Sequence, residues 1–238
     1  MPKRPIDLRY RYFYKPVAFC ACLVPFVGCL GGILALQGVG WARGFDLGVD
    51  PVRYVLDVLG KTTLNLLLIT LLVSPVRQLT GWSNLLRLRR LLGLFAFFYG
   101  LMHFTMYIGP FQSLSWHAIL QDIAKRPFIT IGFAALVMLV PLAVTSTNKM
   151  MRRLGRRWQQ LHRLIYLIAA LGVLHYWKML KLGWREPLLY AGILAVLLGW
   201  RVWRHWQSRQ RSRAVRPLAA AGGVVTSRSA IPKAQGKA

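Results

Sequence analysis

Apolar residues run along this chain in long blocks separated by short polar and basic stretches. Six blocks are long enough to cross a bilayer, which takes about 20 mostly apolar residues. They fall at roughly 16–37, 54–75, 91–109, 128–146, 159–179 and 187–206. No strand-like alternation interrupts them. The pattern predicts an all-α integral membrane protein, a bundle of six transmembrane helices. It divides the chain into a short N-terminal segment (1–15), a six-helix transmembrane domain (16–206) and a tail (207–238).

Breakers and polar residues refine the elements. Pro75 follows Ser74 and either ends or kinks the second span, since proline donates no backbone hydrogen bond. A loop from Pro110 to Pro127 separates the third and fourth spans. Its prolines argue against extending the third helix through it. The fourth span stops at the polar cluster Ser146-Thr147-Asn148. Glu186-Pro187 reads as a helix start. Asp57 and Lys61 stand four apart and predict a local ion pair. Gly28-x-x-x-Gly32 in the first span is a small-xxx-small pattern for close helix packing. The first span follows a basic segment, but its apolar stretch is too long for a signal peptide and no cleavage site follows. It reads as a retained helix.

Composition agrees with the pattern. The chain has 238 residues, 55% of them hydrophobic, and a mean hydropathy of +0.42. Charge looks extreme, with 32 Lys and Arg against 6 Asp and Glu, a net +26. In a soluble protein that would suggest nucleic acid. Here the basic residues flank the spans on every second side of the membrane. They include Lys3, Arg4 and Arg9 at the start, Arg87, Arg89 and Arg90 after the second span, and Arg152, Arg153, Arg156 and Arg157 after the fourth. Another cluster begins at Arg201. The positive-inside rule then places both termini in the cytoplasm and excludes nucleic acid as a partner. The tail, rich in Arg, Ser, Ala, Gly and Pro, is expected to be disordered and to meet anionic lipid.

Against this background three histidines stand out. His103, His162 and His175 lie inside predicted spans, where an ionisable side chain is costly and marks a function or a bound ligand. Neutral imidazole is a common ligand for haem iron. His103 is 13 residues from the inner end of its span, about 20 Å deep, and His175 is 17 residues in, about 25 Å deep. Two imidazoles at similar heights on neighbouring helices predict a clamp for one haem b near the outer face. His162 lies only about 6 Å from the inner end. At that level the third span offers Arg89 and Arg90 rather than a histidine. An inner site there is left open between a second haem with an unusual or absent axial ligand, a flavin and a quinone. His162 and His175 also point roughly 140° apart on a straight helix. Either the fifth helix is distorted, for instance near Gly172, or the two histidines face different neighbours. His117 and His205 read as interfacial. Cys20, Cys22 and Cys29 read as small packing residues. No G-x-G-x-x-G after a strand is present, so no nicotinamide-binding module is expected.

These residues carry a resemblance. Thr145-Ser146-x-Asn148, then Arg152-Arg153-Leu154-Gly155-x-x-Trp158-x-x-Leu161-His162-Arg163-Leu164-x-Tyr166, then Leu174-His175-Tyr176, resembles the MsrQ (YedZ) family. Arg90-Leu91-x-Gly93 followed by Tyr99-x-x-x-His103 fits it too. The resemblance spans most of 10–205. It implies a haem b-binding subunit of the bacterial inner membrane, in the ferric-reductase-like transmembrane superfamily, with His103, His162 and His175 at the family's histidine positions. It further implies electron transfer from the quinone pool, or a flavin reductase, to MsrP, a periplasmic molybdopterin enzyme that reduces methionine sulfoxide in oxidised envelope proteins. FMN is an associated cofactor. Larger relatives carry a second histidine pair and a cytoplasmic flavin–nicotinamide domain. Neither is present here, which fits an external donor. Two alternatives stand beside this reading: a ferric-reductase-like oxidoreductase with another outer acceptor, and a transporter whose histidines relay protons.

Overall fold

A computed structural model describes residues 10–38, 47–82, 84–180 and 183–222. The expectations placed on Lys3, Arg4, Arg9 and the tail beyond 222 lie outside the described residues. The elements are α1 (Lys15–Leu36), α2 (Pro51–Thr80), α3 (Leu85–Met106), α4 (Trp116–Lys125), α5 (Pro127–Val144), α6 (Asn148–Leu154), α7 (Arg156–Leu161), α8 (Leu164–Met179) and α9 (Arg185–Gly222). Wider π-helical turns precede α1 (Tyr10–Tyr14) and extend α3 (Tyr107–Phe111). Among the described residues there is no strand.

Local chemistry explains the boundaries. Asp50 caps α2, its carboxylate accepting from Arg53 N–H at 3.1 Å, and Pro51 sits in the first turn where its missing N–H costs nothing. Helix α2 passes through Pro75 and stops only at Gly81, whose φ of 73° closes the last turn. Pro75 is therefore internal to the helix and does not end it. Pro127 opens α5 in the same way. Thr147 caps α6 by accepting from Met150 N–H at 3.3 Å.

Five described helical stretches are long and apolar enough to cross a membrane: Tyr12–Leu36, Pro51–Thr80, Leu85–Phe111, Pro127–Val144 and Arg185–Gln210. The block expected as a fifth span at 159–179 is instead broken at His162 and Arg163 into α7 and the 16-residue α8. At about 1.5 Å per residue α8 alone is about 24 Å long, so the sixth crossing that both termini on one side would require has to use α7 as well. The break is a distortion of the kind that the histidine geometry left open, although it falls at His162 rather than near Gly172.

Two compact units are distinguished, Met1–Leu197 and Leu198–Ala238. In the first, α2 pairs with α3 and α5 with α8 as two helical hairpins. Contacts of α3 with α5 and of α2 with α8 close the four helices into a ring. Helix α1 packs on α2 and α3. Tyr99, fully buried on α3, reaches into α1: its hydroxyl accepts from Phe26 N–H at 3.1 Å and donates to the Cys22 carbonyl at 2.5 Å. Those two backbone groups would pair with each other in an uninterrupted helix, and Pro25 sits between them. Cys22 and Cys29 are buried and all three cysteines are unbridged. Leu47 crowds Gly32, while Gly28 has open space before it, so among the described residues the small-xxx-small pair seats no helix. In the second unit Trp200 lies against Trp203 at 5.4 Å and Arg204 lies 5.5 Å over Trp200. Helix α9 does not stop at 206 but continues to Gly222.

Candidate functional site

The ring of α2, α3, α5 and α8 encloses a cavity of about 1120 Å³. Apolar side chains such as Leu64, Leu67, Leu136, Leu139 and Ile168 line its middle, and His103 and His175 project into it. Their ring centroids are 6.3 Å apart and the ring planes are 87° to each other.

Each imidazole is fixed from behind. Nδ1 of His103 donates to the Leu56 carbonyl at 2.8 Å, and Nδ1 of His175 donates to the Phe128 carbonyl at 2.6 Å. A carbonyl only accepts, so both Nδ1 atoms carry the proton and both Nε2 atoms keep their lone pair. Such a backbone acceptor also fixes ring orientation and raises ligand basicity. Close approach is allowed by glycine. A Cβ on Gly60 would stand 3.0 Å from His103 Cε1, and one on Gly132 would stand 2.7 Å from His175 Nδ1.

The arrangement is repeated. Each carbonyl lies 47 residues before its histidine. Leu56, Gly60, Gly100 and His103 on the first hairpin are matched, at one constant offset, by Phe128, Gly132, Gly172 and His175 on the second. The same offset pairs Arg90 with His162.

A metal–imidazole bond is about 2 Å, and the ring centre lies roughly 1 Å behind the bonded nitrogen. Two imidazoles sharing one ion would thus place their centroids about 6 Å apart, close to the separation found. A bare ion would need little room. The long apolar cavity suits an organic macrocycle around the ion, and the residues present therefore fit a bis-imidazole haem.

His162 is elsewhere. It ends α7, outside the cavity lining, with its ring stacked on Trp158 at 3.9 Å and Nδ1 bonded to the Trp158 carbonyl at 3.1 Å. Trp158 is held in turn by its indole N–H, which donates to Thr145 O at 3.0 Å. His162 Nε2 is buried without a partner among the described residues. Arg90, its counterpart in the first hairpin, instead bonds Asn148 Oδ1. His117 is exposed and meets Gln121 at 2.6 Å, and His205 is exposed.

One end of the cavity is charged. Lys61 pairs with Asp57 at 3.2 Å, as the spacing predicts, and also with Glu186 at 3.1 Å. The Tyr176 hydroxyl donates to Glu186, and Lys61 lies 5.9 Å from the Tyr176 ring centre. Glu186 is thus drawn across to α2 and α8 beyond any role at the start of α9. Sequence reasoning missed Glu186 and Tyr176 as partners, and it missed the two glycines and two carbonyls behind the histidines. Only the constant offset between hairpins signals those glycines.

Comparison with known proteins agrees with this geometry. Residues 59–173 match the family described as "Ferric reductase like transmembrane component". The chain is 53% identical over 171 residues to the "Protein-methionine-sulfoxide reductase heme-binding subunit MsrQ" of Xanthomonas axonopodis pv. citri (strain 306), covering 71% of this chain and 78% of that one. It is 46% identical over 204 residues to the protein of the same name from Herminiimonas arsenicoxydans, covering 84% of this chain and 89% of that one. The histidine clamp, the apolar cavity and this extent of identity lead to one conclusion: the chain belongs to the MsrQ family of haem-binding subunits of the protein-methionine-sulfoxide reductase system.

Proposed function

We propose that this protein is the transmembrane electron-transfer subunit of a methionine sulfoxide reductase system, with one haem b held between His103 and His175. The observation that carries the reading is the pair of facing imidazoles, both with Nδ1 committed to a carbonyl and Nε2 left to bind. A bound haem supplies a one-electron redox centre. The chain orients the two ligands, excludes water with the leucines of the cavity wall, and joins the two hairpins around the cofactor.

The remaining assignments follow from the resemblance and the charge pattern. The acceptor is a periplasmic MsrP-type molybdopterin reductase that repairs oxidised envelope proteins. The donor is quinol from the membrane pool or a reduced flavin, with FMN as the associated cofactor. The protein sits in the bacterial inner membrane with both termini cytoplasmic. His162 serves electron uptake on the inner side, at a site whose occupant is a second haem with an unusual or absent axial ligand, a flavin or a quinone.

Oxidised and dithionite-reduced optical spectra of the purified protein test this, with haem counted per chain. A low-spin b-type spectrum is expected, at a ratio near one if the inner site holds no haem and near two if it holds a second. A colourless protein after haem-replete expression overturns the reading.

A further inference from the structure

From the backs of the two histidines we infer that the carbonyl–glycine cradles, Leu56 with Gly60 and Phe128 with Gly132, are positioning devices. They hold the axial imidazoles at right angles and so set the electronic character of the haem. The inference rests on the haem assignment above.

Each ring has one freedom left once its Nε2 faces the cavity, rotation about the axis through that nitrogen. The carbonyl removes it. A hydrogen bond to an sp² oxygen is directional, so the Nδ1–H vector must lie along the line to Leu56 O or Phe128 O. These acceptors sit on different helices, α2 and α5, and the ring planes that satisfy them are 87° apart. The glycine on the same helix, one turn beyond the acceptor, is what lets the ring edge reach it. At Gly132 a methyl group would overlap three ring atoms, at 2.7, 2.8 and 3.2 Å. At Gly60 the approach is less severe, 3.0 and 3.1 Å. The first overlap forces the ring to turn. The second is relieved by a small displacement.

The ring angle has an electronic consequence. Each imidazole interacts through its π system with one of the two iron d orbitals that lie along the haem normal. Parallel rings act on the same orbital and split the pair widely. Perpendicular rings act on one each and leave the pair nearly degenerate. Ferric low-spin haem reports the difference directly in its electron paramagnetic resonance spectrum, strongly anisotropic for perpendicular rings and rhombic for parallel ones. Groups that hold a ligand from behind and orient it tune a metal centre in this way.

The test is the spectrum of the ferric full-length protein and of three variants, with haem counted in each. The wild type is expected to give one strongly anisotropic low-spin signal. Gly132→Ala is expected to shift it toward rhombic, or to lose low-spin ligation and haem. Gly60→Ala is expected to keep its haem and shift the signal in the same direction by less. Gly93→Ala is the control. It adds the same methyl to α3 with nothing within 4 Å and is expected to keep the wild-type signal. A rhombic wild-type signal overturns the inference while leaving the haem assignment standing, whereas a wild type without a bis-imidazole signal overturns that assignment. An unchanged signal with full haem in Gly132→Ala, an unshifted Gly60→Ala, or a Gly93→Ala shift equal to that of Gly60→Ala also overturns the inference.

Discussion

On the proposed reading His103 and His175 contribute equally, each supplying one nitrogen to a shared iron, and among the described residues lining the cavity there is no other histidine. Replacing either with Ala is expected to abolish the low-spin spectrum and the reduction of the acceptor. Full haem content with an unchanged spectrum in either variant would overturn the clamp. His162→Ala is expected to leave the haem between His103 and His175 and its low-spin spectrum intact and to lower the rate with quinol or reduced flavin as donor. A donor-driven rate equal to wild type would remove His162 from the electron path. Tyr99→Phe tests packing alone. It strips the bridge between Phe26 N–H and Cys22 O, and one unsatisfied buried group costs about 1–3 kcal/mol. A lower melting temperature in detergent with an unchanged haem spectrum is expected. The histidines were legible in the sequence because an imidazole amid leucines is conspicuous. Their partners were not. Leu56 and Phe128 act through main-chain oxygens, and any residue has one.

At the scale of elements, the positions of the apolar blocks were readable and their interruptions were not. The spans drawn at 54–75 and 128–146 overlap α2 and α5 closely, since length and hydropathy decide them. The block at 159–179 looked continuous, yet the chain turns at His162 and Arg163, where Arg163 N–H bonds only three residues back, to Gln160 O at 3.1 Å. Polar Gln159, Gln160 and Arg163 leave that stretch with little to bury. Helix α4 was hidden by the prolines on either side, although its apolar and polar residues segregate and Ser115 caps it. Gly155 joins α6 to α7 with φ 51° and ψ −118°, a conformation that side chains with a Cβ rarely adopt. Gly155→Ala is expected to destabilise this connection by about 1–3 kcal/mol. Reduced thermal stability, with protease cleavage appearing between α6 and α7, would show it. Stability equal to wild type would mean that the turn readily takes another shape.

For the whole molecule, charge is the readable quantity. Basic residues on alternate connections predict both ends of the chain in the cytoplasm. A fluorescent protein fused after Ala238 is expected to fluoresce, and alkaline phosphatase fused there is expected to be inactive. The opposite pair of results would invert the topology and place the charged end of the cavity, at Asp57, Lys61 and Glu186, on the other side. Nothing in composition revealed that the core is two similar hairpins. That became visible once the distances showed equivalent residues doing equivalent work.

The division of the histidine pair between two hairpins bears on how long the protein survives in a cell. A ligand that binds only the folded form stabilises it by about 2.7 kcal/mol at a hundredfold excess over its Kd. On the proposed reading the haem is such a ligand, and it would also fasten one half of the bundle to the other. Chains made during haem shortage would hold together by helix packing alone, and the seam between the hairpins would open to membrane proteases. Abundance of the protein would then follow cofactor supply, and a starved cell would clear its empty subunits before they could sit unproductively in the membrane.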